Sequence, residues 1–231
     1  EWSSEELSHY LKAPGSDFSS SDEIKRLLLT KDYDLKTKVV SPSGEDLRYL
    51  LLAKEIEASL INGGVDYERL EDGTVKFAQP LLVAKAITDW LAKNSLYTRS
   101  PGHEVGPNED PIAPYLFSDT KRGYCVHFAH AATYLFRLLK IPARVATGYL
   151  ADLRYAKDAH ILLHLGDRHA WPEVFVQGVG WVPFDVTPEN AENEQALVPD
   201  EDLLQDLMTK IKPEDLIEDS SGDISQDRFL D

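Results

Sequence analysis

The chain has 231 residues, 42% of them hydrophobic, a size that allows one or two domains with a substantial core. Its formal net charge of -16 argues against nucleic-acid binding and against docking on anionic lipid, both of which need clustered Lys and Arg. A single cysteine rules out an intramolecular disulfide and a cysteine-based zinc cluster.

The first hundred residues read mainly as helix. Ser21 and Asp22 suit the start of a helix over Glu23–Leu29. Leu47, Leu50, Leu51, Ile56 and Leu60 form an apolar stripe that predicts a helix over Glu45–Ile61, stopped by Gly63-Gly64. Asp72-Gly73 between two arms of Val65–Phe77 predicts a small hairpin. Pro80 then opens a second long helix, Leu81–Lys93, and Tyr97–Pro114 reads as a loop rich in Pro, Gly and charge.

The centre changes character. Cys125–Leu139 is apolar enough for a buried helix, with Pro142 beyond its end. Short strands are expected at Arg144–Leu150, Ile161–Leu165, His169–Val176 and Trp181–Phe184, the last two joined through Gln177–Gly180. Helices first and antiparallel strands afterwards give an α+β domain. Counting outward from that four-residue connection puts Val176 opposite Trp181 and Glu173 opposite Phe184, with a bulge at Pro172 as a way to bring Asp185 closer to His169. Residues 189–231 hold fourteen acids against three bases and read as a solvated tail, with one helix over Asp200–Lys210 and linker over Lys212–Asp231. No apolar run is long enough to span a bilayer. The chain opens at Glu1 without a secretory leader, which reads as a fragment whose flanking segments, membrane helices among them, lie elsewhere.

The chemistry centres on Cys125. At a helix start, unpaired N–H groups and the positive end of the dipole favour a thiolate. Position alone leaves open whether Cys125 is a nucleophile or a small core residue. A nucleophile needs a base and a group to orient that base. His169, at the head of one strand, and Asp185, at the end of its hairpin partner, can supply the two. Read blandly, His169 is a surface histidine and Asp185 starts a turn before Thr187-Pro188.

Three blocks together carry a resemblance. They are Gly123-Tyr124-Cys125 with its helix, Ile141-Pro142-Ala143-Arg144 leading to Gly148-Tyr149, and His169-Ala170-Trp171-Pro172-Glu173 followed by Gly180-Trp181-Val182-Pro183-Phe184-Asp185. In this order, over about Asp110 to Glu189, they resemble the bacterial transglutaminase-like superfamily, whereas the N-terminal helices resemble its lead-in only loosely. The resemblance implies a papain-like α+β core, with the nucleophile helix packed on an antiparallel sheet behind a helical N-terminal region. It implies Cys125 as nucleophile, His169 as base and Asp185 as orienting acid. It also implies a location outside the cytoplasm beside membrane segments. Pro172 stands where an aliphatic residue is frequent in the family, and an edge position is expected there.

The expected division is a helical region 1–96, a catalytic core 97–190 and an acidic C-terminal helix and linker 191–231. The expected activity is thiol-dependent acyl transfer on protein or peptide amides. A peptidase or amidase with water as acceptor, and a non-catalytic binding module, are the alternatives. Trp171 and Tyr124 flank the histidine and cysteine and are candidates to line a substrate cleft, and Arg144 reads as structural. The backbone N–H of Cys125 is the natural oxyanion donor, with Tyr97 or Trp90 as side-chain candidates. His127 with His130 and His160 with His164 have spacings that can bind zinc, but no cofactor or metal is expected.

Overall fold

The computed structural model describes residues 2–188 except 19, 20, 106–108, 152, 154, 155, 158, 159, 162 and 164. The C-terminal helix and linker expected from the sequence, and His164, lie outside the described residues. The chain divides into two units, one of Glu1–Leu150 with Arg168–Glu194 and a second that includes Ala151–Asp167.

In the first unit, helix α1 (Ser4–Ser8) leads to α2 (Asp22–Thr30), α3 (Arg48–Asn62), the hairpin β1 (Tyr67–Arg69) and β2 (Val75–Phe77), and α4 (Pro80–Asn94). The expected local signals operate. Ser21 accepts a hydrogen bond from the Ile24 N–H and caps α2, and Pro80 occupies the first turn of α4. The stretch 97–114 is not all loop. Strand β3 (Leu96–Tyr97) pairs in parallel with β4 (Arg122–Gly123), and Ala113–Leu116 forms the short helix α5. Tyr115 and Leu116 are fully buried, so tertiary burial overrides the Pro- and Gly-rich composition there.

Helix α6 (Cys125–Leu138) is the centre of the unit. Phe128, Ala131, Ala132, Leu135 and Phe136 form a buried stripe along it, and buried His127, Ala129, Thr133 and Leu138 widen that stripe beyond one narrow face. Helices α3 and α4 pack on it from one side. From the other side it is packed by β5 (Ala143–Tyr149) and by a later strand, Arg168–Val176. At its C-terminal end Arg137 donates to the carbonyls of Ala143 and Lys12, tying helix, strand and N-terminal segment together.

In the second unit, β6 (Ala156–Lys157) and β7 (His160–Ile161) pair antiparallel. Of the strand expected over Ile161–Leu165, Ile161 lies in β7, whereas Leu165 begins a single 3₁₀ turn, Leu165–Asp167.

Strands β8 (Arg168–Val176) and β9 (Gly180–Pro183) complete an antiparallel sheet in the order β5-β8-β9. Its register corrects two expectations. Gly180 pairs with Val176, so the connection is the three residues 177–179, and Glu173 meets Pro183 rather than Phe184. Side chains alternate faces along a strand, so this one-residue difference decides which face Asp185 occupies. In the expected register Asp185 falls opposite Pro172 and faces away from His169. In the observed one it follows on opposite Trp171, on the face that His169 shares. No bulge at Pro172 is needed.

Pro172 lies in the middle strand, not at an edge. Its carbonyl accepts the Phe184 N–H, so its backbone faces β9 where that ladder ends, and the donor a proline lacks falls at the margin of the sheet. The N-terminal segment also reaches this hairpin. Trp2 and Tyr10 pack edge-on against Trp181, and Trp2 against Phe175.

Candidate active site

Cys125 is the first residue of α6 and is half-buried. Two residues earlier Gly123 is held against a wall. A Cβ placed there would lie 2.8 Å from the Tyr115 ring and 2.9 Å from the His127 Cβ, so no larger residue fits the entry to the helix. Tyr124 follows in extended conformation, with φ -114° and ψ -179°, and turns the chain into α6. Among the described residues the N–H groups of Cys125 and Val126 meet no backbone acceptor, as first-turn groups of a helix do.

His169 and Asp185 are brought together. Nε2 of His169 lies 3.1 Å from Oδ2 of Asp185. The His169 side chain is only 8% exposed, whereas that of Asp185 is 54% exposed. The second Asp185 oxygen accepts the Thr187 N–H at 2.9 Å, as in a turn-starting aspartate, while the first faces His169. In a neutral imidazole that donates from Nε2 to a carboxylate, Nδ1 is the basic nitrogen. Among the described residues no hydrogen bond joins Cys125 to His169.

Trp171 stacks beside His169, with ring centroids 6.0 Å apart and planes 24° from parallel. Gly148, paired with His169 across β5 and β8, makes room for that indole, since a Cβ at 148 would sit 2.9 Å from its rim. The Tyr124 ring meets His127 edge-on at 4.3 Å. Arg144 donates to Glu173 on the neighbouring strand at 2.6 Å and lies over the Trp181 ring at 4.3 Å, contacts that hold the sheet together. Of the upstream aromatic candidates, Tyr97 pairs with Gly123 and so stands beside the strand that delivers Cys125, whereas Trp90 lines a groove between α3 and α4 with Leu52, Ile56 and Leu60.

One pair went unread in the sequence. His127 meets not a metal partner at His130 but His103, their Nε2 atoms 3.2 Å apart. His103 comes from the segment between β3 and α5, 24 positions earlier, and no local spacing announces the contact. Burial, with smaller contributions from His103 and His130, pushes the His127 pKa down to about 4, and burial lowers that of His103 as well. Among the described residues no group of three or more His, Cys, Asp or Glu side chains is arranged to hold a metal ion.

Residues 69–186 match the profile of the transglutaminase-like superfamily, half of the chain. The chain belongs to that superfamily. The match contains β3, β4, α6 and all three strands of the sheet. Over 136 residues the chain is 35% identical to the protein-glutamine gamma-glutamyltransferase of Pseudomonas aeruginosa, which covers 56% of this chain and 20% of that protein. It is 29% identical over 107 residues to the protein YebA of Bacillus subtilis, covering 45% of this chain and 14% of that one. The chain thus spans a fifth or less of the length of these relatives. Among solved structures, the periplasmic domain of TgpA from Pseudomonas aeruginosa is similar over 72% of this chain and 48% of that one, with 23% identity and a TM-score of 0.43. The fold is α+β, as the sequence indicates. No helix among the described residues is long and apolar enough to cross a membrane.

Proposed function

We propose that this chain catalyses thiol-dependent acyl transfer on the carboxamide or peptide bonds of protein substrates, with Cys125 as nucleophile, His169 as base and Asp185 as the group that orients the base. The observation that carries the reading is the His169–Asp185 bond on the strand packed against the helix that begins with Cys125. The carboxylate on Nε2 fixes the tautomer and leaves Nδ1 to take the thiol proton. The thiolate attacks the carbonyl carbon, and a C–S bond forms. The C–N bond breaks as His169 returns the proton to the departing nitrogen. A primary amine then gives its proton to His169 and attacks the thioester carbonyl, forming the new amide and releasing the thiolate.

The first-turn N–H of Cys125 is the proposed oxyanion donor, and Tyr97, whose strand neighbour is Gly123, is preferred to Trp90 as a side-chain donor. Trp171 and Tyr124 are proposed to line the acyl-donor cleft. The catalytic part is proposed to be residues 97–190, with the helices of 1–96 supporting α6. A position outside the cytoplasm, beside membrane segments of a longer protein, is the proposed location, because relatives of this kind are often so placed.

The test is incubation with a glutamine-containing protein and a fluorescent primary amine. Covalent labelling of the protein and release of ammonia, both lost in Cys125→Ala, are expected. New chain termini or free glutamate without amine incorporation make water the acceptor and the enzyme a hydrolase. No reaction, with full binding of protein partners by Cys125→Ala, makes it a non-catalytic module.

A further inference from the structure

We propose that His127 is a positioning residue for the nucleophile, acting with His103 through the backbone at Tyr124. The proposal rests on the acyl-transfer reading above and names a part of that site which the triad does not include.

His127 is the third residue of α6, and its ring turns back past Cys125. Nδ1 lies 3.4 Å from the Tyr124 backbone N–H, and Nε2 lies 3.2 Å from Nε2 of His103. The ring is closed in by Tyr124 edge-on at 4.3 Å, by His103 perpendicular at 5.0 Å and by Tyr115 at 5.5 Å, and the residue is 7% exposed. These contacts decide where the protons sit. An N–H donor can meet only a bare ring nitrogen, so Nδ1 of His127 is unprotonated and Nε2 carries the hydrogen. That hydrogen needs an acceptor, so Nε2 of His103 is bare and its Nδ1 is protonated. The result is a directed chain from the Tyr124 N–H to His127 to His103. The titratable groups facing it are His103 from the β3–α5 segment, Tyr115 from α5, Tyr124 from the helix entry and His130 one turn along α6. Burial that disfavours charge on both imidazoles keeps the chain neutral.

The consequence falls on Cys125. Ser, Thr, Asp or Asn at the N-cap places an oxygen on the second or third N–H of a helix. No side-chain hydrogen bond from Tyr124 caps α6, and the third residue works in reverse, to hold the N–H before the helix. The turn is thereby fixed while the N–H groups of Cys125 and Val126 keep no backbone acceptor. They remain available to a thiolate and to an oxyanion.

The experiment is the rate of Cys125 alkylation by iodoacetamide from pH 5 to 9 in the full chain, alongside thermal unfolding. His127→Phe keeps an aromatic ring, one atom larger, and removes both nitrogens. It is expected to move the alkylation midpoint up by about one pH unit and slow the reaction about tenfold near pH 6. His127→Asn returns an acceptor oxygen near the place of Nδ1. It is expected to recover most of the reactivity although it fills the cavity less well and melts lower. His103→Ala, at a half-buried residue of a largely exposed segment outside α6, is expected to shift the midpoint upward with little change in Tm. A reactive wild-type thiol whose midpoint is unmoved in His127→Phe and His103→Ala overturns the positioning role alone. Reactivity that simply tracks Tm across the three variants also overturns it. A wild-type thiol inert until the protein unfolds overturns the acyl-transfer reading, and the positioning role with it.

Discussion

His169 and Asp185 meet on a diagonal of the β8–β9 ladder, Asp185 following the strand end to a place opposite Trp171, two residues along β8 from the histidine. The carboxylate is fixed from its other side by the Thr187 N–H, so its direction is set by a turn rather than by packing. Asp185→Ala removes both bonds. It is expected to lower acyl transfer about a hundredfold, within the range of a misdirected general base. Asp185→Asn keeps an oxygen for Nε2–H and is expected to lose less. Single-turnover rates of amine incorporation for the two variants check this; equal losses in both would assign the effect to charge rather than orientation.

Two glycines beside the site differ in what surrounds them, and the same substitution is expected to cost different amounts. A Cβ at 123 meets the fully buried Tyr115 ring and the Cβ of His127, neither of which can move far. Gly123→Ala is therefore expected to destabilise by about 2–3 kcal/mol. At 148 the nearest atom is the outer rim of the half-buried Trp171 indole, which can tilt. Gly148→Ala is expected to cost less than about 1 kcal/mol and to change Trp fluorescence instead. Urea unfolding of both variants provides the comparison.

Phe136 lies on the buried side of α6 and meets the ring of Phe184, the residue before Asp185, at 6.4 Å. Phe136→Ala removes a fully buried ring and is expected to destabilise by about 3–5 kcal/mol in urea unfolding. Because the lost contact leads toward Asp185, alkylation of Cys125 under native conditions is also expected to become less dependent on His169.

The buried His127 makes stability depend on pH in a known direction. Its folded pKa, about 4, lies below the ordinary value of 6.5. Between these values the unfolded chain binds the proton that the folded chain excludes, so stability is complete above about pH 6.5 and falls as pH drops toward 4. A loss on the order of 1–3 kcal/mol from this residue is expected across that window. Urea unfolding at pH 7 and pH 5 should show a smaller difference in His127→Phe than in the wild type. Part of the dependence should persist, because burial lowers the His103 pKa too.

The sequence by itself determined the order of the long helices and of the strands of the three-stranded sheet, the helix that begins at Cys125 and the α+β class. Those follow from local causes: an apolar run of helical length, Ser21 and Pro80 at helix starts, and Asp72-Gly73 at a turn. The three motif blocks were legible for the same reason, each being contiguous in the chain.

Tertiary structure decided the rest. Strand β8 buries Ala170, Pro172 and Val174 on one face and His169 and Phe175 on the other, so its residues carry no clean alternation from which the register with β9 could be counted. That single count placed Asp185 on the face of His169. The pairing of His103 with His127 joins segments 24 positions apart, next to a helix entry that Gly123 lets lie against Tyr115. A contact of that kind depends on how elements pack in three dimensions, which no spacing along the chain records.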